Sequence, residues 1–295
     1  MKTVLVTGSS GLIGTRFFEK YADKFNLIPG DLCNGIDILN FDDALKTISN
    51  LIGRRGLDAV VHMAAFTDVS SAYEQSDDEK GICYQLNVVG ANNVIKISEE
   101  FGSHLIHLST DFVFNGMTKT PFKEESAPAP IEWYGETKRL AEEAVVNSNG
   151  FWTVARIAFP YLKDQGARPD LVTRIIGKLK AGEKLYLFGD QLITPTFGDD
   201  IVDAISRFIE SSPEREVFHV VGPEAMSPYD LGHRLAKLLK APTENLVETS
   251  LVKYLEKDPR PRQRYLAMDS NKYRMFCRDH NYTVPLTIEK SLEGI

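Results

Sequence analysis

The chain has 295 residues, of which 43% are hydrophobic and 25% charged, enough for one large α/β domain or for a nucleotide-binding domain with a smaller lobe. Its net charge of −7, without any run of Lys and Arg, argues against nucleic acid as the main partner but allows an anionic ligand held by a local site. No apolar stretch approaches the roughly 20 residues of a membrane helix, and no signal peptide develops after the first apolar run. The three scattered cysteines fit neither a disulfide framework nor a metal site. We therefore expect a cytoplasmic protein without membrane contact or metal.

A glycine-rich turn follows the first predicted strand. Residues 2–7 are β-branched and apolar, Gly8, Gly11 and Gly14 come next, and a helical pattern covers residues 12–24. In this strand–turn–helix context Gly8 allows a tight turn, Gly11 lets a pyrophosphate approach the backbone, and Gly14 lets the helix pack closely on the strand. The spacing is GxxGxxG instead of GxGxxG, and a purely structural turn is the alternative.

The second predicted strand, residues 25–29, leads to an aspartate. Asp31 lies 23 residues after Gly8, where an acidic side chain commonly meets the adenosine ribose hydroxyls of a bound dinucleotide. A carboxylate there repels a 2′-phosphate, so the position favours NADH over NADPH. The alternative is an ordinary loop aspartate.

The next elements continue the alternation of strand and helix. A short strand ends at Asp37-Ile38, a helix covers 41–52, an apolar strand covers 57–65, a helix covers 87–101 and a strand covers 104–109. Ala64 and Ala65 would leave room for an adenine or ribose, although small residues equally pack a core. The alternation predicts a Rossmann-type, doubly wound α/β fold with a parallel sheet, whose ligands bind beyond the carboxyl ends of the strands. The segments at those ends are Gly8, Asp31, Ala64-Ala65 and Ser109-Thr110-Asp111.

Tyr134 and Lys138 form the candidate catalytic pair. They are four residues apart in a helix predicted over residues 134–146, so they share one face, about 6 Å apart along the axis. A phenol normally keeps its proton up to about pH 10, and a nearby ammonium favours the phenolate, so we expect Lys138 to lower the pKa of Tyr134. Such a pair can exchange a proton with a carbonyl or alcohol oxygen. Two surface residues of an amphipathic helix are the alternative.

The pattern changes after a strand at residues 152–157. Helices are predicted over 171–180 and 198–211, a strand at 217–221 that returns to the sheet, and a further helix that begins after Ser227. The arginines of residues 260–264 form a basic cluster in an acidic chain, either a clamp on phosphates or a solvated loop. We predict an NAD(P)-binding domain over residues 1–158 and a mainly substrate-binding lobe over residues 159–295.

Several motifs together resemble those of an extended short-chain dehydrogenase/reductase. The resemblance covers nearly the whole chain, and within that superfamily it is to the dTDP-4-dehydrorhamnose reductases. The motifs are Gly8-x-x-Gly11-x-x-Gly14, Ala64-Ala65-Phe66-Thr67, Leu86-Asn87, Ser109-Thr110-Asp111-Phe112-Val113-Phe114, Tyr134-Gly135-x-Thr137-Lys138, Asp190-Gln191 with Pro195-Thr196, and Arg260-Pro261. The resemblance implies an NAD(P)H-dependent reductase of a nucleotide-linked 4-keto-6-deoxy sugar, as in dTDP-rhamnose biosynthesis.

The resemblance also implies the functional residues. Thr110, Tyr134 and Lys138 would be catalytic; Thr110, Asp111 and Phe159 would face the nucleotide sugar, together with the clamp residue Arg260. The residues that would line the cofactor are Gly8, Gly11, Leu12, Ile13, Asp31, Asp37, Ile38, Ala64, Ala65, Phe66, Thr67, Asn87, Leu108, Tyr134 and Lys138. Members of this family often accept both cofactors, so Asp31 gives NADH only a slight preference. A homodimer through the helices near 87–101 and 134–146 is expected by the same likeness.

Related activities differ in the residues that they need. The 4,6-dehydratases of the superfamily use an Asp-Glu pair after the threonine to eliminate water, whereas here Phe112 follows Asp111. A nucleotide-sugar 4-epimerase needs only the Tyr, the Lys and a Ser or Thr, so these residues leave it open. Phe159 stands where the reductases typically carry Trp, which leaves the sugar open. The β subunit of methionine adenosyltransferase shares several motifs, so a non-catalytic, NAD(P)-binding regulatory role is the main alternative.

Overall fold

The computed structural model describes residues 1–163 and 170–295 of the chain. Its strands are β1 (Thr3–Thr7), β2 (Asn26–Gly30), β3 (Ala59–His62), β4 (His104–Thr110), β5 (Phe151–Ile157), β6 (Pro160–Tyr161), β7 (Leu185–Phe188), β8 (Thr196–Phe197), β9 (Glu216–His219) and β10 (Leu246–Thr249). Its α-helices are α1 (Leu12–Tyr21), α2 (Phe41–Ile52), α3 (Val69–Tyr73), α4 (Ile82–Tyr84), α5 (Ala91–Glu100), α6 (Trp133–Val146), α7 (Leu171–Ala181), α8 (Gly198–Ser211), α9 (Pro228–Leu239), α10 (Leu251–Leu255), α11 (Asn271–Asp279) and α12 (Ile288–Ser291).

Six of the strands form one sheet, in the order β2-β1-β3-β4-β5-β9. β1 runs parallel to both β2 and β3, and β3 runs parallel to β4. Helices separate these strands along the chain, so each connection crosses over a face of the sheet and the carboxyl ends of the strands meet at one edge. The predicted α/β fold with a parallel sheet is confirmed.

The first of two compact units comprises Met1–Val113, Glu132–Arg156 and Val202–Phe218. One core cluster of this unit includes Leu5 of β1, Val60 of β3 and Leu105 of β4, together with Ile48 of α2 and Val94 of α5. These side chains are fully buried or nearly so, and burying an aliphatic side chain of this size contributes about 1.5–3 kcal/mol. The packing fixes the strands and therefore the loops that leave their carboxyl ends.

The second unit comprises Phe114–Ile131, Ile157–Ile201 and His219–Ile295. Two small parallel pairs, β7 with β10 and β6 with β8, lie in this unit. Its core includes Tyr161 of β6, Ile175 of α7 and Leu231 of α9, all almost fully buried. The predicted domain boundary between residues 158 and 159 stays a prediction; β9, which was expected to return to the sheet, pairs beside β5.

The expected short strand at Asp37-Ile38 does not form. Asp37 instead makes turn contacts: its Oδ1 accepts a hydrogen bond from Leu39 N at 2.9 Å, and its carbonyl oxygen accepts one from Asn40 N at 3.0 Å. A side chain that bonds to the backbone two residues on closes the chain into a turn, which removes these groups from any strand ladder. Ile38 is nevertheless buried, and its carbonyl oxygen accepts a hydrogen bond from Asn93 of α5 at 2.8 Å.

Other element boundaries agree with the sequence pattern to different degrees. α2 and α8 begin and end as predicted, and Ser227 caps α9 through a hydrogen bond from Asp230 N. α1 and β3 end three residues earlier than expected, at Tyr21 and His62. The helix expected over 87–101 is a π-helical turn, Gln85–Gly90, followed by α5. Within the described residues, no helix is long and apolar enough to cross a membrane.

Candidate active site

The backbone of the glycine-rich turn between β1 and α1 closely approaches both the segment after β3 and the first turn of α1. Gly8 has a φ angle of 73°, and a Cβ atom added to it would lie 2.6 Å from the backbone nitrogen of Ala64, beyond β3. A Cβ atom added to Gly14 would lie 2.7 Å from Ser9 Cα and run into the Gly8 carbonyl oxygen. Gly11, by contrast, is the exposed N-cap of α1, and an added Cβ would meet only the Gly8 oxygen, at 3.2 Å. Close packing therefore favours glycine at positions 8 and 14, whereas Gly11 leaves the N-terminus of α1 approachable by an anion.

Asp31 follows β2 and bonds to the glycine-rich turn. Its Oδ1 accepts hydrogen bonds from Gly8 N at 2.7 Å and Ser9 N at 3.1 Å. Its Oδ2 accepts from Ser9 Oγ and from Ser10 N, each at 2.7 Å. Burial opposes the charged form, but the hydrogen bonds from Ser9, Ser10 and Gly8 together outweigh it and lower the pKa of Asp31 below its ordinary value. Asp31 therefore shapes the turn as a carboxylate, and its predicted contact with a ribose would have to share these oxygens.

Asn87 ties the segment after β3 to the helix that carries Tyr134. Its Oδ1 accepts a hydrogen bond from Phe66 N at 2.7 Å, and its Nδ2 donates to Phe66 O at 3.1 Å and to Thr137 Oγ1 at 2.9 Å. Asn87 is buried, whereas Phe66 is half-buried. Among the other predicted cofactor residues, Leu12, Asp37, Ala64 and Ala65 are half-buried, Thr67 is exposed, and Ile13, Ile38 and Leu108 are buried.

Glu132, which the sequence analysis did not single out, begins α6. It is the N-cap, and its two carboxylate oxygens accept hydrogen bonds from Tyr134 N at 2.8 Å and Gly135 N at 2.6 Å. The absence of a side chain at Gly135 makes this approach possible, because an added Cβ would lie 2.6 Å from a Glu132 oxygen. An acidic residue two positions before the predicted helix was the available signal, although N-cap preferences favour Asp over Glu.

Thr110, Asp111 and Tyr134 form a buried row of polar groups. Thr110 ends β4, and its Oγ1 donates a hydrogen bond to Asp111 Oδ1 at 3.0 Å. The Thr110 hydroxyl is also near enough to the Tyr134 phenol to act on its pKa. The other Asp111 oxygen is buried without a hydrogen-bond partner among the described residues. Burial raises the pKa of Asp111 to about 7, although the bond from Thr110 opposes the shift. The row therefore contains a carboxyl group that is partly protonated at neutral pH.

Lys138 lies one turn after Tyr134 on α6, and its ammonium group is close to the carboxyl end of β4. It is 4% exposed, and its Nζ donates a hydrogen bond to Leu108 O at 2.7 Å. Burial lowers the pKa of Lys138 to about 8, and the charge of Glu142 acts in the opposite direction. His62 is also buried, and its Nδ1 lies 2.7 Å from Thr7 Oγ1.

The expectation of a lowered pKa for Tyr134 is wrong in this structure, where that pKa is raised. Burial raises the pKa of the phenol above its ordinary value, and the nearby Thr110 hydroxyl only opposes this shift. The nearby acidic groups of Asp111, Glu132 and Cys83 raise it further. A phenol in these surroundings keeps its proton at neutral pH, so it is suited to donate a proton to a developing alkoxide.

Two residues predicted to meet the substrate lie in the second unit. Phe159 has a φ angle of 40°, in the left-handed region that residues with a side chain rarely adopt, at a cost of order 1–3 kcal/mol. Arg260 binds Asp258 through Nε at 2.8 Å and Nη2 at 2.5 Å. The phosphate-clamp role of Arg260 stays a prediction, with the added condition that a phosphate must compete with the Asp258 carboxylate.

The other two arginines of this loop also have partners within the second unit. The guanidinium of Arg262 lies over the Tyr254 ring, 5.4 Å from its centroid, and that of Arg264 lies 5.0 Å from the Tyr265 centroid. Arg264 Nε also donates to Asp190 O at 3.0 Å. These contacts hold the arginines of the loop, while Arg262 is exposed and Arg260 and Arg264 are partly exposed, so the choice between a phosphate clamp and a solvated loop stays a prediction.

The first unit brings the predicted catalytic residues and the predicted cofactor residues to one edge of the sheet. The open backbone beside Gly11 fits a pyrophosphate, and the Asp31 carboxylate follows β2 where a ribose hydroxyl would lie. Tyr134, Thr110 and Lys138 lie around the end of β4. These residues fit a dinucleotide that extends along the strand ends.

Comparison with known proteins gives one family match and several relatives. The model of the RmlD substrate binding domain family matches residues 1–290. A dTDP-4-dehydrorhamnose reductase of Mycolicibacterium smegmatis is 26% identical over 260 residues, covering 88% of this chain and 76% of that protein. A methionine adenosyltransferase 2 subunit beta of Xenopus laevis is 26% identical over 256 residues, covering 83% of this chain and 74% of that protein. The crystal structure of dTDP-4-dehydrorhamnose reductase (rfbD) from Bacillus anthracis str. Ames in complex with NADP has the same fold, with a TM-score of 0.84 and 24% identity over 99% of this chain and 98% of that chain.

Proposed function

This chain belongs to the RmlD substrate binding domain family, and from that premise we propose that it is an NAD(P)H-dependent reductase of a nucleotide-linked 4-keto-6-deoxy sugar. The observation that carries the proposal is the buried row of Thr110, Asp111 and Tyr134 beside the Lys138 ammonium. In a ketone reductase, such a hydroxyl and phenol can bind the carbonyl oxygen and supply the proton that it takes up. The similarity to a dTDP-4-dehydrorhamnose reductase over most of the chain supports the sugar class.

The residues that would hold the cofactor lie along the strand ends of the first unit. The N-terminus of α1, beside Gly11, would bind the pyrophosphate, and Asp31 would bind the adenosine ribose. Lys138 would bind the nicotinamide ribose through its ammonium group. When bound, the reduced nicotinamide supplies the hydride that reduces the ketone carbon. Asp31 favours NADH slightly, because a carboxylate repels the 2′-phosphate of NADPH.

Tyr134 supplies the proton in this proposal. Its raised pKa keeps the phenol protonated until negative charge develops on the substrate oxygen, which is when a general acid is needed. Thr110 aligns the same oxygen. When Asp111 carries a proton, it can donate to Thr110 Oγ1, which leaves the Thr110 hydroxyl free to donate to the substrate.

The arrangement argues against a dehydratase. Such an enzyme needs a free carboxylate base beside the acid, and the residue after Asp111 is Phe112. Glu132 contributes a second buried carboxylate in this region, but both of its oxygens accept hydrogen bonds from the backbone of α6. It is therefore committed to starting the helix. An epimerase remains a candidate on residue chemistry, and it would interconvert two sugars without net consumption of NADH.

The test is consumption of NADH and of NADPH with dTDP-, UDP- and GDP-linked 4-keto-6-deoxy sugars. We expect turnover with at least one of them, slowed by at least about 10²-fold in Tyr134→Phe, with cofactor affinity nearly unchanged. The Tyr134→Phe substitution removes only the hydroxyl group, because it keeps the ring that packs edge-on against Phe112. Turnover at the wild-type rate in Tyr134→Phe would remove the phenol from the mechanism.

A non-catalytic regulatory role is the second candidate, supported by the similarity to a methionine adenosyltransferase subunit over 83% of the chain. It predicts NAD(P)H binding without turnover of any sugar in the panel. It also predicts a stable complex with a methionine adenosyltransferase catalytic subunit and a change in the activity of that subunit. Sugar turnover together with no such complex would exclude this role.

A further inference from the structure

The glycine-rich turn fills the hydrogen-bonding capacity of the Asp31 carboxylate. Oδ1 accepts hydrogen bonds from Gly8 N and Ser9 N, and Oδ2 accepts from Ser10 N and from the Ser9 hydroxyl, at 2.7 to 3.1 Å. A carboxylate has about four lone-pair sites, so these four donors occupy them all. A ribose hydroxyl can therefore bond to Asp31 only where one of the present donors gives way.

Three of these four donors are backbone N–H groups, and the path of their backbone is fixed by close neighbours. A Cβ atom added to Gly8 would lie 2.6 Å from Ala64 N, and one added to Gly14 would lie 2.7 Å from Ser9 Cα. Gly11 N also donates a hydrogen bond to Gly8 O at 3.0 Å. The backbone donors therefore cannot leave Asp31 unless the turn itself moves against β3 or α1.

The Ser9 hydroxyl is the donor that can turn away. It is carried by a single rotatable bond, and rotation to another staggered position breaks the contact with Asp31 while the backbone stays in place. Ser9 and Asp31 are both half-buried, so neither side chain is enclosed by the core. The Ser10 hydroxyl, on an exposed residue, also lowers the pKa of Asp31 and strengthens the effect of Ser9.

The Ser9 hydroxyl acts on the two cofactors in opposite directions. The adenosine ribose of NADH has a 2′-hydroxyl, which must donate to Asp31 and so competes with Ser9 for Oδ2. NADPH has a 2′-phosphate instead, which the carboxylate repels. A hydroxyl at Oδ2 screens this repulsion, and it can also turn and donate to a phosphate oxygen.

We propose that Ser9 is a positioning residue that sets the cofactor preference: by occupying Oδ2 of Asp31, its hydroxyl weakens the selection of NADH over NADPH that the carboxylate imposes. The position of the adenosine ribose at Asp31 rests on the proposed function, whereas reduction of a sugar does not enter the inference. The hydrogen bond between Ser9 and Asp31 can be measured in the full chain without cofactor.

The test is calorimetric titration of the full chain with NADH and with NADPH. In Ser9→Ala we expect NADH to bind more tightly and NADPH more weakly. The ratio of the NADPH Kd to the NADH Kd should rise at least about tenfold, the effect of one hydrogen bond to a charged group. Ser9→Thr is the matched control because it keeps a hydroxyl on the same carbon, and its ratio should equal that of the wild type. Ser9→Ala/Ser10→Ala should raise the ratio further.

A second readout follows the Asp31 carboxyl itself, by ¹³C NMR during an acid titration without cofactor. Asp31→Asn identifies its signal. The wild-type midpoint should lie below about pH 4, the ordinary value, and it should be higher in Ser9→Ala because one donor to the carboxylate is lost. Ser9→Thr should keep the wild-type midpoint. An unchanged midpoint in Ser9→Ala would show that the hydroxyl does not hold the carboxylate and would overturn the inference.

The remaining outcomes separate the role of Ser9 from the proposed function. A wild-type ratio of Kd values in folded Ser9→Ala would overturn the inference, and sugar turnover by the wild type would then leave the reductase standing. A raised ratio in a protein that reduces no sugar would support the role of Ser9 while rejecting the reductase. A wild type that binds neither cofactor would overturn both.

Discussion

Alanine substitutions at Gly11 and Gly14 should separate cofactor binding from folding. At Gly14 the new methyl group would lie 2.7 Å from Ser9 Cα and against the Gly8 carbonyl, so backbone must move. Overpacking of this kind costs about 1–3 kcal/mol, and each kcal/mol lowers the unfolding midpoint of a domain of this size by about 2–4 °C. At Gly11 the methyl group would meet one oxygen at 3.2 Å, and the cost to stability should stay within about 1 kcal/mol. The same methyl group would lie where the proposed pyrophosphate would approach α1.

We therefore expect Gly14→Ala to unfold about 2–12 °C below the wild type. Gly11→Ala should unfold close to the wild type but bind NADH and NADPH at least about tenfold more weakly, a loss of about 1.4 kcal/mol. Calorimetric unfolding and calorimetric titration with each cofactor measure the two effects, and each variant is the control for the other. Wild-type cofactor affinity in Gly11→Ala would refute the placement of a pyrophosphate at the N-terminus of α1. An unchanged midpoint in Gly14→Ala would refute the close approach of α1 to the turn.

Three further predictions concern charged side chains. Asp31 has a lowered pKa in the folded state, so the stability that it adds is present above about pH 4, the ordinary value, and is lost as the pH falls through the lowered one. The wild type should be more stable to unfolding than Asp31→Asn, and this advantage should shrink on acidification; a pH-independent difference in stability would contradict this. The Asp31→Asn substitution should also weaken the binding of NADH more than the binding of NADPH. Lys138→Met should lower kcat and weaken cofactor binding together, and a change in rate alone would argue against a ribose contact. Asp258→Asn removes the carboxylate that holds Arg260 and should lower KM for a nucleotide sugar, whereas Arg260→Met should raise it; equal KM values in both variants would refute the clamp.

Much of the first half of the chain was predictable because its signals are local. The succession of β1, the glycine turn and α1 follows from residue types within about twenty positions, and α2 has a clear apolar stripe with an Asn40 cap. The resemblance drawn from these motifs is confirmed by the family match over residues 1–290. The strand expected at Asp37-Ile38 was wrong because a side-chain bond to the backbone outweighed the apolar pattern.

The partners of the site residues were less accessible to sequence reasoning. Asp31 was expected to bind a ribose hydroxyl, yet its oxygens accept hydrogen bonds from the backbone of a turn more than twenty residues earlier. Glu132 begins α6 through bonds that follow from the exact start of that helix, which the sequence pattern placed one residue later. The ion pair of Glu142 with Arg156 joins a helix to a strand.

The order of apolar, small and polar residues along the chain was enough to indicate a parallel α/β sheet, the family and the residues expected to do chemistry, because strand, turn and helix preferences act between near neighbours. The protonation state of those residues depended on the folded arrangement. Burial raises the pKa of Tyr134 and lowers that of Lys138, and the nearest charges come from Asp111, Glu132 and Glu142. Desolvation and Coulomb interactions depend on distances in space, which the spacing of Tyr134 and Lys138 along a helix does not contain.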